Sequence, residues 1–244
     1  MKTPRNKSAF TLIELLVVIA IIAILASLAI PAVTGAMVKG QMTQSLNNER
    51  QIYLAASQMA IDNTSTGDPN LGWPGNLADQ TTHPTNAIAS VNDYVTRMVS
   101  YDYLKPGDVT KVFSAPGVTP WVGTLSGSGS NAALSPTFDD KYCAFKVYKV
   151  MDNDGSDVLF LATRNFTYVG SQGTGGTQTG GGTLDATKSP FGDKGFVVFH
   201  KGGDGAILRK QQVNQGSAIG TMPVVSGSTA ATDESTALLG PKTF

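Results

Sequence analysis

The chain has 244 residues, of which 15% are charged, with 18 basic and 18 acidic side chains and a formal net charge of zero. No block of either sign interrupts this balance, so the composition offers no basic surface for nucleic acid. A single cysteine excludes a disulfide within one chain.

The N-terminal part combines a basic leader with a long apolar run. Nine residues with three basic side chains and no acid precede a stretch from Phe10 to Val38, in which Glu14 is the only charged residue. Crossing a bilayer takes about 20 apolar residues, so the run is long enough for one membrane span. The basic leader predicts an orientation with the leader in the cytoplasm and the remainder of the chain outside it.

Two simpler interpretations fit this run less well. A secretory signal has an apolar core of about 7–15 residues, shorter than this one, and would here be cut after Ala29. An anchor that is never processed would keep Glu14 in the membrane without a partner, where a charge at the bilayer centre costs about 2.5–3.5 kcal/mol. The acid therefore favours a third interpretation.

The segment Ser8-Ala9-Phe10-Thr11-Leu12-Ile13-Glu14-Leu15-Leu16 resembles the class III leader junction of type IV prepilins and type II secretion pseudopilins. The resemblance covers residues 1–60. It implies that a membrane peptidase cuts between Ala9 and Phe10 and then methylates the new N-terminus at Phe10. The family usually has glycine before the cut, so Ala9 is a departure that bears on the rate of processing more than on its position.

Glu14 is the predicted assembly determinant. After cleavage, Phe10 would carry an α-ammonium four residues before Glu14, on the same face of a helix. Both charges would lie in hydrocarbon, where an unpaired ion is costly. A neighbouring copy displaced along the helix axis can pair its terminus with this carboxylate, which would fix the register of the assembly.

The rest of the N-terminal region predicts one long helix over residues 10–61, with residues 10–30 in the membrane. Pro31 removes one backbone hydrogen bond and predicts a kink or a break. Beyond Gly40 the pattern becomes amphipathic, with apolar residues such as Met42 and Tyr53 at helical spacing. A run of stop signals begins at Asp62.

Residues 62–244 predict one further domain with a helix and β-hairpins. The helix spans Ile88 to Val99, with Thr85 or Asn86 as its cap. Two hairpins pair 142–151 with 158–163 and 196–200 with 206–208. Turn-rich or loop segments are expected at 72–75, 123–130, 170–183 and 226–236. The fold class is therefore α+β and pilin-like, with a long N-terminal helix and a C-terminal antiparallel β-sheet domain.

The loop of the first hairpin contains three acids, Asp152, Asp154 and Asp157. Their oxygens are suitable ligands for calcium, and the resemblance adds that major pseudopilins hold calcium in a β-region loop. The spacing, however, does not match a calcium-binding loop, and Asp-Gly is an ordinary turn sequence. We favour a plain turn over a calcium site, and we expect no other cofactor.

No catalytic motif is present, so an enzyme is not expected. His83 and His200 have no partnering cysteine or acidic motif. Cys143 lies in an apolar, strand-like context that is typical of a buried structural thiol.

The resemblance implies a structural subunit of a pilus-like filament. Many type IV pilins have a C-terminal disulfide, which this chain cannot form, so a type II secretion pseudopilin is favoured over a type IV pilin, major or at the tip, that acts in adhesion, motility or DNA uptake. The implied partners are other copies or other pilins, a prepilin peptidase and methylase, an inner-membrane assembly platform and the lipid bilayer. The precursor is expected in the inner membrane with its domain in the periplasm, and the product in a periplasmic or surface filament.

Overall fold

The structure is a computed structural model, and it describes residues 11–79, 87–127, 132–169, 181–223 and 234–239. Two units are distinguished, residues 1–40 and residues 41–244.

The longest element is helix α1, Leu12–Thr66, which continues beyond the expected end at residue 61. It stops where Gly67 adopts a left-handed φ of 68°. The Gly67 N–H donates to the Asn63 carbonyl at 2.7 Å, which closes the last turn. The glycine therefore ends the helix, and the polar residues before it form its last turn.

In the second unit, α1 has one buried face. Its buried residues are Met42, Ser45, Asn48, Glu49, Ile52, Ala55, Ala56, Met59 and Ala60. Beside this face, the ring of Tyr53 lies 5.3 Å from that of Phe199 and 6.0 Å from that of Trp73, measured between ring centroids. This part of α1 therefore packs as one wall of the hydrophobic core.

Three short helices follow: α2 (Pro74–Ala78), α3 (Val91–Ser100) and α4 (Pro106–Val112). Helix α2 occupies the segment expected to be a turn, because a proline at the first helical position is compatible with helix initiation. The start of α3 is also corrected. Ser90 and Asp93 form a capping box, with Asp93 N–H donating to Ser90 Oγ at 3.2 Å. The expected caps, Thr85 and Asn86, lie outside the described residues.

The central sheet has four antiparallel strands in the order β3-β4-β7-β8, and two further strand pairs, β1-β2 and β5-β6, accompany it. The strands are β1 (Thr124–Ser126), β2 (Ala133–Ser135), β3 (Phe145–Val147), β4 (Leu159–Thr163), β5 (Phe166–Val169), β6 (Gly181–Leu184), β7 (Gly195–His200) and β8 (Gly205–Arg209). Both predicted hairpins are confirmed, as β3-β4 and β7-β8. The α+β, pilin-like layout is confirmed as well.

Two expected loops contain strands. Strand β1 lies within 123–130 and β6 lies at the end of 170–183, and each gains the backbone hydrogen bonds of an antiparallel partner. Residues 128–131 and 170–180 lie outside the described residues. In the expected loop 226–236, Glu234 begins the short helix α6 (Glu234–Ala237), which follows another short helix, α5 (Gly216–Ile219).

The sheet is apolar on both faces. All residues of β4 and β7 are buried. Neighbouring residues of β7 belong to different apolar clusters, Phe199 to the one that includes Ile52 of α1 and Val198 to the one that includes Phe166. Successive strand residues point to opposite faces, so the sheet is covered on each side.

A buried ion pair fastens the C-terminal segment to β3. The Lys146 Nζ lies 2.9 Å from Glu234 Oε2, and the Tyr148 hydroxyl donates to Glu234 Oε1 at 2.5 Å. Backbone bonds add to this contact, because Lys149 N–H donates to the Ala237 carbonyl and Leu239 N–H to the Val147 carbonyl. Burial lowers the pKa of Lys146 although the Glu234 carboxylate opposes the shift.

A lysine organises the acidic loop between β3 and β4. The Lys201 ammonium donates to the carbonyls of Asp152 and Asp154, each at 2.7 Å, and lies 5.9 Å from the Trp73 ring centroid. Asp154 Oδ2 also accepts from the Met151 N–H at 2.7 Å. Among the described residues, no group of three His, Cys, Asp or Glu side chains is arranged to hold a metal ion.

We expect Glu234→Ala to lower the free energy of unfolding by about 3–5 kcal/mol, because the change leaves the Lys146 ammonium buried without its carboxylate. Urea unfolding of the full chain in detergent measures the loss. The double variant Lys146→Met with Glu234→Leu replaces the pair by apolar side chains and should recover most of it. An exposed ion pair contributes up to about 1 kcal/mol. If Glu234→Ala lowers the free energy of unfolding by less than that, the ion pair does not hold the C-terminal segment in place.

We expect Lys201→Met to lower the melting temperature, because it removes a partly buried cation that bonds two carbonyls of the acidic loop. The free energy of unfolding should fall by about 1 kcal/mol, since a hydrogen bond to a charged group contributes about 1.5–3 kcal/mol when shielded from solvent and less when solvent reaches it.

Calcium and EDTA should leave the melting temperature of the unmodified chain unchanged. A rise with calcium that EDTA reverses would show that the loop binds the metal.

Candidate functional site

The first turn of α1 places Glu14 against Thr11. The Thr11 N–H and hydroxyl both donate to Glu14 Oε2, at 2.8 and 2.6 Å, and the Glu14 N–H donates back to Thr11 Oγ1 at 3.3 Å. This is the reciprocal pattern of a capping box, with Thr11 as the cap and Glu14 three residues later. Within the described part of the chain, the other oxygen, Oε1, accepts no hydrogen bond.

Thr11 is a site residue that the sequence analysis did not single out. Its signal was present, because a threonine followed three residues later by a glutamate ahead of an apolar run is the spacing of a capping box. Thr11 orients the carboxylate and satisfies one of its two oxygens.

The rest of the first unit presents apolar side chains. Every residue from Thr11 to Met37 is exposed. The most apolar part of α1 lies in this unit, and α1 is long and apolar enough to cross a membrane by its length and composition. Among residues 12–37 the only charge is Glu14.

Helix α1 is continuous through Pro31, so the proline does not break it. Pro31 has no N–H for the Ser27 carbonyl. Nearby hydroxyls bond to carbonyls of the same stretch, with Ser27 Oγ donating to Ile24 at 2.8 Å and Thr34 Oγ1 to Pro31 at 3.0 Å. A kink at Pro31 remains a prediction.

The remaining candidates are placed as follows. Ala9 and Phe10, the expected cleavage site, lie outside the described residues, as does His83. His200 is engaged in the fold, with its two ring nitrogens 2.8 Å from Asp204 Oδ2 and 3.0 Å from the Ile219 carbonyl. Cys143 is buried, and its thiol donates to the Phe145 carbonyl at 2.9 Å.

Taken together, the N-terminal segment joins a basic leader, an apolar membrane-length helix and a single oriented carboxylate. Neither a curated protein nor a solved structure matches the chain. Residues 4–30 do match the family model described as the prokaryotic N-terminal methylation motif. Such a motif implies processing by a prepilin peptidase, anchoring in the membrane and assembly into pilin polymers, and it indicates a structural subunit. This segment is a class III signal peptide of the type IV prepilin kind.

Proposed function

We propose that the protein is a pseudopilin of a type II secretion system, cut before Phe10, N-methylated there and polymerised through its N-terminal helix. The observation that carries the proposal is the methylation motif at residues 4–30, together with one oriented acid in an otherwise uncharged apolar helix. Residues 1–9 are then the leader, the assembly helix begins at residue 10 and continues through α1 to Thr66, and the remainder is the domain displayed by the filament.

Glu14 serves assembly by receiving the N-terminal ammonium of a neighbouring copy. Thr11 occupies Oε2 and leaves Oε1 as an acceptor for that ammonium. An ion in hydrocarbon is costly without a partner, and the pair neutralises two ions in one contact. Because the contact joins the start of one helix to a point four residues along the next, it also sets their axial offset.

The single buried thiol favours a pseudopilin over a type IV pilin. Cys143 cannot close the C-terminal region by a disulfide within one chain, and the Lys146–Glu234 pair and the bonds to residues 237 and 239 hold that region to β3. Many type IV pilins close this region with a disulfide, so its absence here favours a pseudopilin.

The proposed orientation follows the leader charges. Three basic residues and no acid before residue 10 keep the leader in the cytoplasm. The domain is then periplasmic in the precursor and remains outside the cytoplasm in the filament, with the inner-membrane assembly platform as a further partner.

We expect mass spectrometry of the mature protein to show an N-terminus at Phe10 carrying a methyl group. Ala9→Gly should be processed at least as fast, and Ala9→Leu, which places a large side chain before the scissile bond, should accumulate as precursor. A mature protein that starts at Met1 or after Ala29 would overturn the proposal.

We expect Glu14→Gln to be cleaved and methylated normally but to enter filaments more than about 100-fold less. The reason is that the neighbour's ammonium loses its charged partner, at a cost of about 3–5 kcal/mol for a broken buried pair. Immunoblots of sheared filaments and of membranes separate assembly from processing. Glu14→Asp, which keeps the charge, serves as the matched control and should retain part of the incorporation. Filaments of normal abundance in Glu14→Gln would remove Glu14 from assembly.

Deleting the gene tests the finer assignment. A pseudopilin mutant should lose secretion of extracellular enzymes and keep its surface pili. Loss of pili or of twitching with intact secretion would assign the protein to a type IV pilus instead.

A further inference from the structure

The chain contains three glutamates, Glu14, Glu49 and Glu234. Glu14 lies in the membrane-length helix, and Glu234 is paired with Lys146. Glu49 has neither a place in the proposed assembly contact nor an ion partner within the described residues. Glu49 is therefore the one glutamate without an assigned role.

Glu49 lies within the buried face of α1 in the second unit. Its exposed fraction is 0%, and neither carboxylate oxygen has a hydrogen-bond partner in the described part of the chain. The adjacent Asn48 shows the contrast, because its Nδ2 donates to the carbonyls of Lys111 and Ser114, each at 3.2 Å. The Asn48 amide therefore ties α1 to α4, whereas the Glu49 carboxyl lies in the core without a hydrogen bond.

The elements that contact this stretch of α1 include α4, β7 and β8, besides the ring contact of Tyr53 with Trp73. The end of α4 receives the Asn48 amide. Strand β7 contacts it through Phe199, whose ring lies beside that of Tyr53. Strand β8 begins at Gly205, where an added Cβ would come within 2.5 Å of the Leu46 side chain.

None of the described titratable groups on the packed elements or their neighbours bonds to Glu49. Most of them are exposed or engaged elsewhere: Arg50, Lys111 and Arg209 are exposed, Asp108 accepts from the Lys105 N–H, Lys146 pairs with Glu234, and His200 bonds Asp204 and the Ile219 carbonyl. Tyr94 is the exception, because it is buried and its hydroxyl bonds neither Glu49 nor another described group. Burial is the one cause that acts on Glu49, and it raises the pKa of this carboxyl well above the ordinary value of 4.5.

An ionised carboxylate in this position would have no charge and no donor among the described residues to stabilise it, and isolated buried ions are strongly disfavoured. We propose that the folded protein carries Glu49 as a neutral, protonated acid, and that the cost of ionising it in the core lowers the stability of the folded state relative to the unfolded chain as the pH rises. The proposal does not depend on which filament the protein forms.

The direction of the effect follows from proton binding. Well below pH 4.5 the carboxyl is protonated in both the folded and the unfolded chain, and pH has no effect through this group. Above that value the unfolded chain releases the proton while the folded chain retains it. The unfolded state then binds fewer protons, so stability falls with rising pH until Glu49 ionises in the folded state as well.

Glu49→Gln tests this, because glutamine has nearly the same shape and does not titrate. The full chain in detergent is unfolded in urea at several pH values between 5 and 9, in a Trp121→Phe background in which Trp73, beside Tyr53, is the remaining tryptophan. The quantity compared is the equilibrium constant for unfolding of the chain with Glu49, divided by that of Glu49→Gln. We expect this ratio to rise about tenfold per pH unit over the range in which unfolding releases the Glu49 proton. Asp139→Asn, at an exposed acid paired with Lys141, is the control and should follow the chain that keeps Glu49.

A second measurement needs no folded variant at position 49. Glutamate labelled with ¹³C at the side-chain carboxyl gives three signals, which Glu14→Gln and Glu234→Gln assign by elimination. We expect the Glu49 signal at neutral pH to have the chemical shift of a protonated acid. An ionised Glu49 signal at neutral pH, or unfolding constants whose ratio to those of Glu49→Gln does not change with pH, would overturn the proposal.

Discussion

The apolar side chains of residues 12–37 need a partner other than water, and the described chain does not cover them. The hydrophobic effect makes such a surface unstable in water in proportion to its area. Lipid can cover it in a membrane-anchored subunit, and other copies of the same helix can cover it in a polymer. Both environments have a low dielectric. In either of them the Glu14 carboxylate would need hydrogen bonds or a counter-ion.

Thr11 supplies part of that satisfaction within one chain. Its N–H and hydroxyl bond one oxygen of Glu14 and simultaneously begin the helix. A capping box is normally a device of helix stability. In this chain the same bonds also orient the one charge of the apolar helix, so the start of the helix and the expected contact between copies share a small set of atoms.

The sequence predicted what depends on neighbouring residues. The β7-β8 hairpin follows from two short apolar runs that flank a glycine-rich turn, and the apolar helix from its composition. It did not predict contacts between distant residues, such as Lys146 with Glu234, 88 positions apart, or Lys201 in the loop at Asp152. Two helix ends were predicted at the wrong residues although the sequence contains the correct signals nearby. Gly67 ends α1 after a polar run that resembles a stop, and Ser90 caps α3 after Thr85 and Asn86, which are equally good caps by residue type.

The three glutamates show why a residue type does not determine a charge state. Glu234 has an ammonium and a hydroxyl within hydrogen-bond distance, and contacts of this kind are stronger in the low dielectric of the core than in water. Glu14 has donors on one oxygen, and under the proposed function a neighbouring copy supplies its cation. Glu49 has no hydrogen-bond donor among the described residues, and an isolated buried ion is strongly disfavoured, which supports the protonated acid proposed above. The partner within reach therefore separates the three acids: Glu234 is paired inside the fold, Glu14 is proposed to pair with a neighbouring copy, and Glu49 is proposed to stay protonated.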